Sequence, residues 1–194
     1  ALIAQYGEKV VRKLISLVRH LKNEGLLRTL IVSKNILCFH FVKDLRKKKY
    51  LLKKIHGMKM SLDVGDPGVS RVLALNGMRE ADQVYMVRQA LKPGMTVVDI
   101  GANIGTYALL EASLVGREGK VYALEPSPEN FELLNRNVAL NGFEDIIETY
   151  QIGASNTDGT ARFYIHEASN LHTFHPLKYQ HYKQQKKWAN LCSF

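Results

Sequence analysis

Short apolar runs alternate with amphipathic segments through the middle of the chain. Three runs of strand length and two segments of helical period and composition follow one another in the order 97–100, 106–115, 120–124, 127–141 and 146–152. Turns that contain glycine or proline separate most of them. The order β-α-β-α-β with short connections predicts a parallel sheet with right-handed crossovers. A fourth apolar run, at 161–165, predicts one more strand.

The first part of the chain has a helical period instead. Apolar positions between Val10 and Leu21 recur every three or four residues beside a basic face, and a second apolar block covers Leu26–Val42. Two basic residues and one asparagine interrupt this block. We therefore expect no membrane-spanning helix in it.

Four further segments complete the predicted layout. Lys43–Lys54, rich in lysine, is predicted to be a helix, and residues 57–75 predict a small strand or hairpin and a turn. Residues 80–91 predict a helix that ends before a proline. The polar and basic stretch after residue 175 contains no strand-like apolar run.

Charge is concentrated near the start of the chain. Of the net charge of +9, residues 1–60 carry 15 Lys and Arg against 3 acids (+12), and residues 61–194 carry 12 against 15 (−3). The basic face predicts a solvated helical extension, with contact to an anionic lipid surface, a polyanionic substrate or nucleic acid as alternatives. Aromatic residues are sparse in this region, so no specific nucleic-acid partner is expected.

Cysteine usage and targeting signals favour a cytoplasmic location. The chain contains 2 cysteines and no Cys-x-x-Cys spacing, so a disulfide framework is excluded. No secretory signal pattern is visible at the beginning of the sequence. A length of 194 residues fits one domain with an extension.

The loop after the first predicted strand carries the most informative motif, Asp99-x-Gly101-x-x-x-Gly105. It differs from the dinucleotide fingerprint, because an acid precedes the first glycine and would repel two phosphates. Such an acid suits a ligand with a cationic head. Glu125 ends the next strand, where a carboxylate can accept hydrogen bonds from ribose hydroxyls. Together these residues predict a site for an adenosine with a positively charged amino-acid tail, which is S-adenosylmethionine.

Two other interpretations of this loop stay open. The glycines also fit an ordinary strand-to-helix turn with Asp99 as a plain strand-end carboxylate, and a nicotinamide or flavin site is the second alternative. His172-x-x-His175 has the spacing of a metal-ligand pair but no clear third ligand. No metal site is predicted.

Three stretches, 97–107, 121–131 and 133–141, resemble the FkbM-type family of S-adenosylmethionine-dependent methyltransferases, above all in the sequence Asp-Ile-Gly-Ala-Asn-Ile-Gly. The similarity covers roughly residues 58–174. It implies a class I Rossmann-like α/β methyltransferase fold. It also implies methyl transfer to a hydroxyl of a sugar, glycan or other natural product, and thus a small-molecule or glycan acceptor.

The resemblance also implies which residues hold the cofactor: Asp99, Gly101, Ala102, Asn103, Gly105, Thr106, Glu125, Pro126, Ser127 and Ala154. The glycine loop would approach the methionine part, and Ser127 and Ala154 would lie along the adenine. Many class I enzymes have an acid where this chain has Gly153. A hydroxyl acceptor must lose a proton, and the candidates for the base are His166, His172 and His175.

The sequence departs from the family after Phe174, because no fourth core strand with a Lys-x-Asp-x-Glu-Gly pattern follows. Only the half of the sheet on the side of the first three strands is then predicted, with Val97–Ile100 as an exposed edge. We expect a truncated product with three regions: a basic helical extension (1–56), a truncated cofactor-binding domain (57–175) and a basic tail (176–194). A non-catalytic binding module and an RNA methyltransferase are the alternative functions; no Asn-Pro-Pro-Tyr-type stretch supports the latter.

Overall fold

The structure is a computed structural model that describes residues 25–45, 47–175 and 185–193. The predicted helix between Val10 and Leu21 lies outside these residues. The helices are α1 (25–40, continued by a π-helical turn at Phe41–Leu45), α2 (Val69–Asn76), α3 (Ala81–Ala90), α4 (Thr106–Val115) and α5 (Pro128–Asn141). The strands are β1 (Tyr50–Ile55), β2 (Met58–Asp63), β3 (Thr96–Ile100), β4 (Lys120–Leu124), β5 (Ile147–Tyr150), β6 (Gly153–Ser155), β7 (Gly159–Ile165) and β8 (Gln185–Ser193).

A parallel three-stranded sheet, in the order β3-β4-β5, carries the site described below. Val121 in β4 aligns with Val97 in β3 and with Ile147 in β5. Helices α4 and α5 form the two crossovers, and six of the ten residues of α4 are buried because apolar residues lie on most sides of this helix. The predicted parallel β-α-β-α-β unit is confirmed. This topology brings the ends of β3 and β4 together at one edge, where open α/β sheets bind ligands.

Strand β3 forms an edge of this sheet. Among the described strands it pairs with β4 alone. Val98 is 46% exposed and Ile100 is 61% exposed, although both are apolar residues of a strand. The prediction of an exposed apolar edge at Val97–Ile100 is therefore confirmed for the described residues.

The helix predicted over Lys43–Lys54 is wrong in its second half, where the chain forms the strand β1. This strand pairs antiparallel with β2 through a turn at His56 and Gly57, whose φ angles of 51° and 96° match the first and second positions of a type I′ turn. Ile55 is buried, and Lys53 reaches inward to donate to the carbonyl of α2. Because Lys53 occupies an inward position, the sequence of β1 does not show the alternation of apolar and polar residues that is typical of a strand. The turn of this hairpin lies at residues 56 and 57. The domain boundary expected between these two residues stays a prediction.

Two further elements differ from the sequence prediction. Residues 57–75 include the helix α2 in addition to the predicted strand and turn. The stretch predicted to lack a strand contains β8, which lies between β6 and β7 in a second, mixed sheet. In β8 the buried Ala189 stands between the exposed Trp188 and Asn190. The alternation of buried and exposed positions therefore depends on one small apolar side chain, which gives a weak strand signal in the sequence. The predicted strand at 146–152 ends at Tyr150, and the chain then enters the second sheet.

Helix α1 also corrects a prediction. Within the described residues, the stretch Gly25–Lys43 is the one helix whose length and apolar composition suffice to cross a membrane. The expectation that this region falls short of a spanning helix was therefore wrong by that measure. Between Gly25 and Lys43, Arg28 and Lys34 are the only Lys, Arg, Asp or Glu residues, and two are too few to interrupt the apolar run.

Candidate cofactor site

The loop between β3 and α4 depends on three residues with positive φ. These are Gly101 (79°), Asn103 (52°) and Gly105 (86°), which directly precedes α4. A Cβ atom on Gly105 would lie 2.7 Å from Cδ1 of Leu134, so a side chain is excluded there on two grounds. The backbone amides of Gly101 and Ala102 both donate to the carbonyl of Leu124 at the end of β4, at 2.9 and 3.0 Å. The loop is thereby fixed against the neighbouring strand.

Glu125 fixes the same loop from the end of β4. Its Oε2 accepts from the backbone amide of Asn103 at 2.9 Å, and its Oε1 accepts from that of Ser127 at 2.9 Å and from the Asn130 side chain at 3.4 Å. The side chain is buried, which raises the pKa of the carboxyl, while these hydrogen bonds act in the opposite direction. A carboxylate oxygen can accept two hydrogen bonds, so Oε2 retains one acceptor position for a ligand.

The segment 169–175 lies opposite the glycine loop and is held there by hydrogen bonds of Ser169. Asp66 accepts from the backbone amide of Ser169 at 3.0 Å and from its hydroxyl at 2.8 Å. The carbonyl of Ser169 accepts from the Asn103 side chain at 3.0 Å. This chain of bonds holds the segment 169–175 opposite the loop.

A cavity of about 540 Å³ lies between the loop and this segment. That volume falls within the range of nucleoside-sized and drug-sized ligand sites. Its walls come from the loop, from Glu125 and Pro126, from residues 152–154 and from the segment 169–175. Arg79 and Glu80, just before α3, complete the lining on another side.

The structure separates the predicted cofactor residues into two sets. Seven of them line the cavity: Gly101, Ala102, Asn103, Thr106, Glu125, Pro126 and Ala154. Asp99, Gly105 and Ser127 do not line it. Gly105 and Ser127 are the N-caps of α4 and α5, and Ser127 is completely buried. The binding roles of all ten residues stay predictions.

Asp99 lies beneath the loop, close to a second buried acid. Its carboxyl accepts a backbone hydrogen bond from Ala108 in the first turn of α4, and burial raises its pKa to about 6. Burial, and secondarily the charge of Asp99, raises the pKa of Glu111 to about 8. Asp99 Oδ2, Glu111 Oε2 and Thr106 Oγ1 are buried and have no hydrogen-bond partner. Unpaired buried polar atoms are rare, and of these three residues Thr106 also lines the cavity.

The family model described as Methyltransferase FkbM domain matches residues 99–187. That region contains the loop, Glu125 and the segment that closes the cavity. Residues 99–187, just under half of the chain, are therefore similar to the FkbM methyltransferase family. The predicted class I Rossmann-like fold and S-adenosylmethionine as the family's cofactor are thereby confirmed, together with the resemblance that suggested them. Among the described residues, no group of three or more His, Cys, Asp or Glu has a metal-binding arrangement.

Individual relatives are methyltransferases that share a short region with the chain. The methyltransferase sdnD of Sordaria araneosa is 38% identical over 33% of this chain and 24% of its own length. A protein-L-isoaspartate O-methyltransferase of Methanococcoides burtonii is 34% identical over 31% of this chain and 30% of its own length. The chain thus spans a quarter to a third of the length of these relatives. P. horikoshii TYW2, solved in complex with MeSAdo, is 27% identical over 54% of this chain and 36% of its own, with a TM-score of 0.43.

The three histidines that are candidates for the base take different places. His172 and His175 line the cavity, whereas His166 lines a neighbouring one. Nδ1 of His166 accepts from the amide of Ala168, and Nδ1 of His172 accepts from the amide of His166, each at 3.1 Å. Burial lowers the pKa of His172, which favours the neutral ring. With Nδ1 as acceptor, that ring carries its proton on Nε2 and is a donor towards any other group.

Two residues that line the cavity, Glu80 and Tyr107, were missed by sequence reasoning. The Tyr107 hydroxyl lies 3.1 Å from Oε2 of Glu80 and 3.0 Å from Oε1 of Gln83, and Arg79 pairs with Glu80 at 2.9 Å. Burial raises the pKa of Tyr107 to about 12, so it remains a hydrogen-bond donor. Tyr107 lies two residues after Gly105, and this proximity to the glycine motif was the available signal. Glu80 lies 27 residues before Tyr107, too far for any local pattern to connect them.

Gly153, where many class I enzymes have an acid, is explained by an aromatic ring. A Cβ atom at this position would lie 2.4 Å from Cζ of Phe174, so no side chain fits between β6 and the ring. Phe174 itself packs on Phe163 with ring centroids 4.8 Å apart. At this position the cavity therefore has the aromatic ring of Phe174 in place of an acidic side chain.

Proposed function

We propose that this chain binds S-adenosylmethionine in the cavity and transfers a methyl group to a hydroxyl oxygen of a sugar, glycan or other small natural product. The observation that carries the proposal is the attachment of the glycine loop to Glu125, which forms a nucleoside-sized cavity at the ends of β3 and β4. The hydroxyl acceptor rests on the FkbM resemblance. A cytoplasmic location stays a prediction alongside it.

The residues of the cavity have distinct roles in this proposal. The free acceptor position of Glu125 Oε2 receives a ribose hydroxyl, and the glycine loop approaches the methionine part of the cofactor. The aromatic face of Phe174 is suited to adenine. When bound, the cofactor supplies an activated methyl group, so the protein has to align the acceptor and take up its proton.

The proton acceptor follows by elimination among the acids and histidines that line the cavity. Glu125 is held by backbone amides, and Nδ1 of His172 is occupied. Glu80 and His175 remain. Glu80 is the stronger candidate, because Tyr107 and Arg79 orient its carboxylate at the cavity wall.

A second candidate function is a binding module without catalysis. The exposed residues Val98 and Ile100 on β3 favour it, since one side of the sheet next to the site has no neighbouring strand in the described part of the chain. Such a module would bind the cofactor weakly and transfer nothing.

Calorimetric titration with S-adenosylmethionine, and with NAD as a comparison, tests cofactor binding by the full chain. Glu125→Gln removes one charged acceptor, which is worth about 1.5–3 kcal/mol, so binding should weaken by about 10-fold or more. Glu118→Gln, the same change at an exposed turn, is the matched control. Absence of S-adenosylmethionine binding, or preference for NAD, would refute the proposal.

An assay of radiolabelled methyl transfer to sugars and to transfer RNA then distinguishes the proposed methyltransferase from the binding module. Transfer to hydroxyl-bearing sugars that is lost in Glu80→Gln supports the proposal and the role of Glu80. Cofactor binding without transfer to sugars or to transfer RNA supports the binding module. Transfer to RNA alone would exclude the hydroxyl acceptor proposed here.

A further inference from the structure

Helix α1 has two faces with different environments. Its inner face packs on the domain: Phe39 is 5% exposed and belongs to the main hydrophobic core, and Val42 packs against the same core. The Asn35 side chain donates to the carbonyl of Leu75 in α2 at 2.7 Å. These contacts fix which side of the helix faces away from the protein.

The outer face of α1 is apolar, and none of the other elements of the described part of the chain packs on it. Only 11% of the helical stretch is buried. At 100° per residue, four exposed leucines and Ile31 fall on one broad stripe opposite Phe39, whereas Ile36, which is 39% exposed, lies outside it. Their exposed fractions are Leu26 65%, Leu27 75%, Leu30 58%, Ile31 50% and Leu37 73%. Several large apolar side chains in one contiguous stripe are unusual on a surface in contact with water only, and they mark an interaction site.

Positive charge lies within this stripe and just after the helix. Residues 25–56 contain nine Lys and Arg and a single acid, Asp44. Lys34 lies within the outer face, and Lys47, Lys48 and Lys49 are exposed just after the helix. An apolar stripe bordered by lysines complements an anionic lipid surface, since long lysine side chains extend their charge to the headgroups from a partly inserted helix.

We propose that α1 lies in the plane of an anionic membrane surface, with its outer face inserted in the lipid and the lysines around it at the headgroups. The stretch of 19 residues is about 28 Å long, enough to cross the hydrocarbon layer, but crossing would break the contacts of Phe39 and Asn35 with the domain. The in-plane position keeps them. It places the candidate cofactor site of the same domain next to a membrane.

Sedimentation of the full chain with vesicles tests this proposal. The probes are vesicles of phosphatidylcholine alone and vesicles with about one third phosphatidylserine. We expect binding to the anionic vesicles that weakens with salt, and at least 10-fold weaker binding to the neutral ones. Each lysine near such a surface contributes about 1 kcal/mol, so Lys48→Gln with Lys49→Gln should weaken binding by about 10- to 30-fold.

The apolar face is tested by Leu30→Glu with Leu37→Glu, which should abolish binding. Met86→Glu is the matched control, because Met86 is 63% exposed on α3 and lies outside the stripe. Circular dichroism checks that each variant is folded, which is expected because both leucines are exposed. The variants leave the cavity residues untouched.

Three results would overturn the proposal. The first is absence of binding to anionic vesicles, or equal binding to neutral ones. The second is resistance of the bound chain to alkaline carbonate extraction, which would indicate a spanning helix. The third is a stable dimer in vesicle-free solution that Leu37→Glu dissociates, because the stripe would then be covered by a second copy.

Discussion

The buried pair Asp99 and Glu111 predicts that stability falls as pH rises, and Glu111→Gln should reduce this dependence. Burial raises the pKa of Glu111 from 4.5 to about 8. The folded state therefore holds a proton that the unfolded state releases between pH 4.5 and 8. Stability is highest below the unfolded pKa and is lost as pH rises through the folded one. The raised pKa of Asp99, about 6, acts in the same direction.

The magnitude follows from the pKa difference. One pKa unit corresponds to 1.36 kcal/mol, so a shift of Glu111 from 4.5 to about 8 sets a ceiling of about 5 kcal/mol. Relaxation of the buried site at high pH makes a loss of about 2–4 kcal/mol between pH 5 and pH 9 the expected range. This is a large part of the 5–15 kcal/mol by which domains are usually stable.

Urea unfolding followed by circular dichroism at pH 5, 7 and 9 measures this loss. Replacing the carboxyl of Glu111 by an amide has its own cost, but that cost is the same at every pH, so the change of stability with pH is the quantity to compare. Glu111→Gln should lose less than half as much stability as the wild type over this range. Glu118→Gln, exposed in the turn after α4, should behave as the wild type does. An unchanged pH dependence in Glu111→Gln would refute the argument.

Three substitutions near the site test its local geometry by urea unfolding. Gly105→Ala should lower the free energy of unfolding by about 2–4 kcal/mol, because it combines positive φ with a Cβ atom 2.7 Å from Leu134. Gly142→Ala is the control, since Gly142 has a similar φ and open space around it. Equal losses of stability in the two variants would contradict the clash with Leu134. Ser127→Ala removes the N-cap of α5 and should cost about 1 kcal/mol, and no loss would mean that the cap contributes nothing. Asn137→Ala should cost about 3 kcal/mol, since its buried amide bonds to β2 and to the glycine loop; a loss below 1 kcal/mol would show that water replaces these bonds.

Local signals predicted the elements around the candidate site. The helices α4 and α5 and the strand β4 have the predicted bounds, because apolar period, capping residues and turns all agree there. The sequence analysis missed two strands that depend on their neighbours in a sheet. Lys53 in β1 concealed a strand whose partner β2 makes the pairing favourable, and β8 is a strand because β6 and β7 flank it.

Some features of the candidate site were likewise determined by the local sequence, and others only by the tertiary structure. The sequence by itself determined the glycine loop, the acid at the end of β4 and the cofactor class, because their chemistry depends on a spacing of a few residues in one β-α-β unit. Only the tertiary structure decided that Asp99 lies beneath the cavity, that Nδ1 of His172 is occupied, and that Glu80 meets Tyr107 at the wall. These facts depend on contacts between segments far apart in the chain, whose burial and pairing no local pattern encodes.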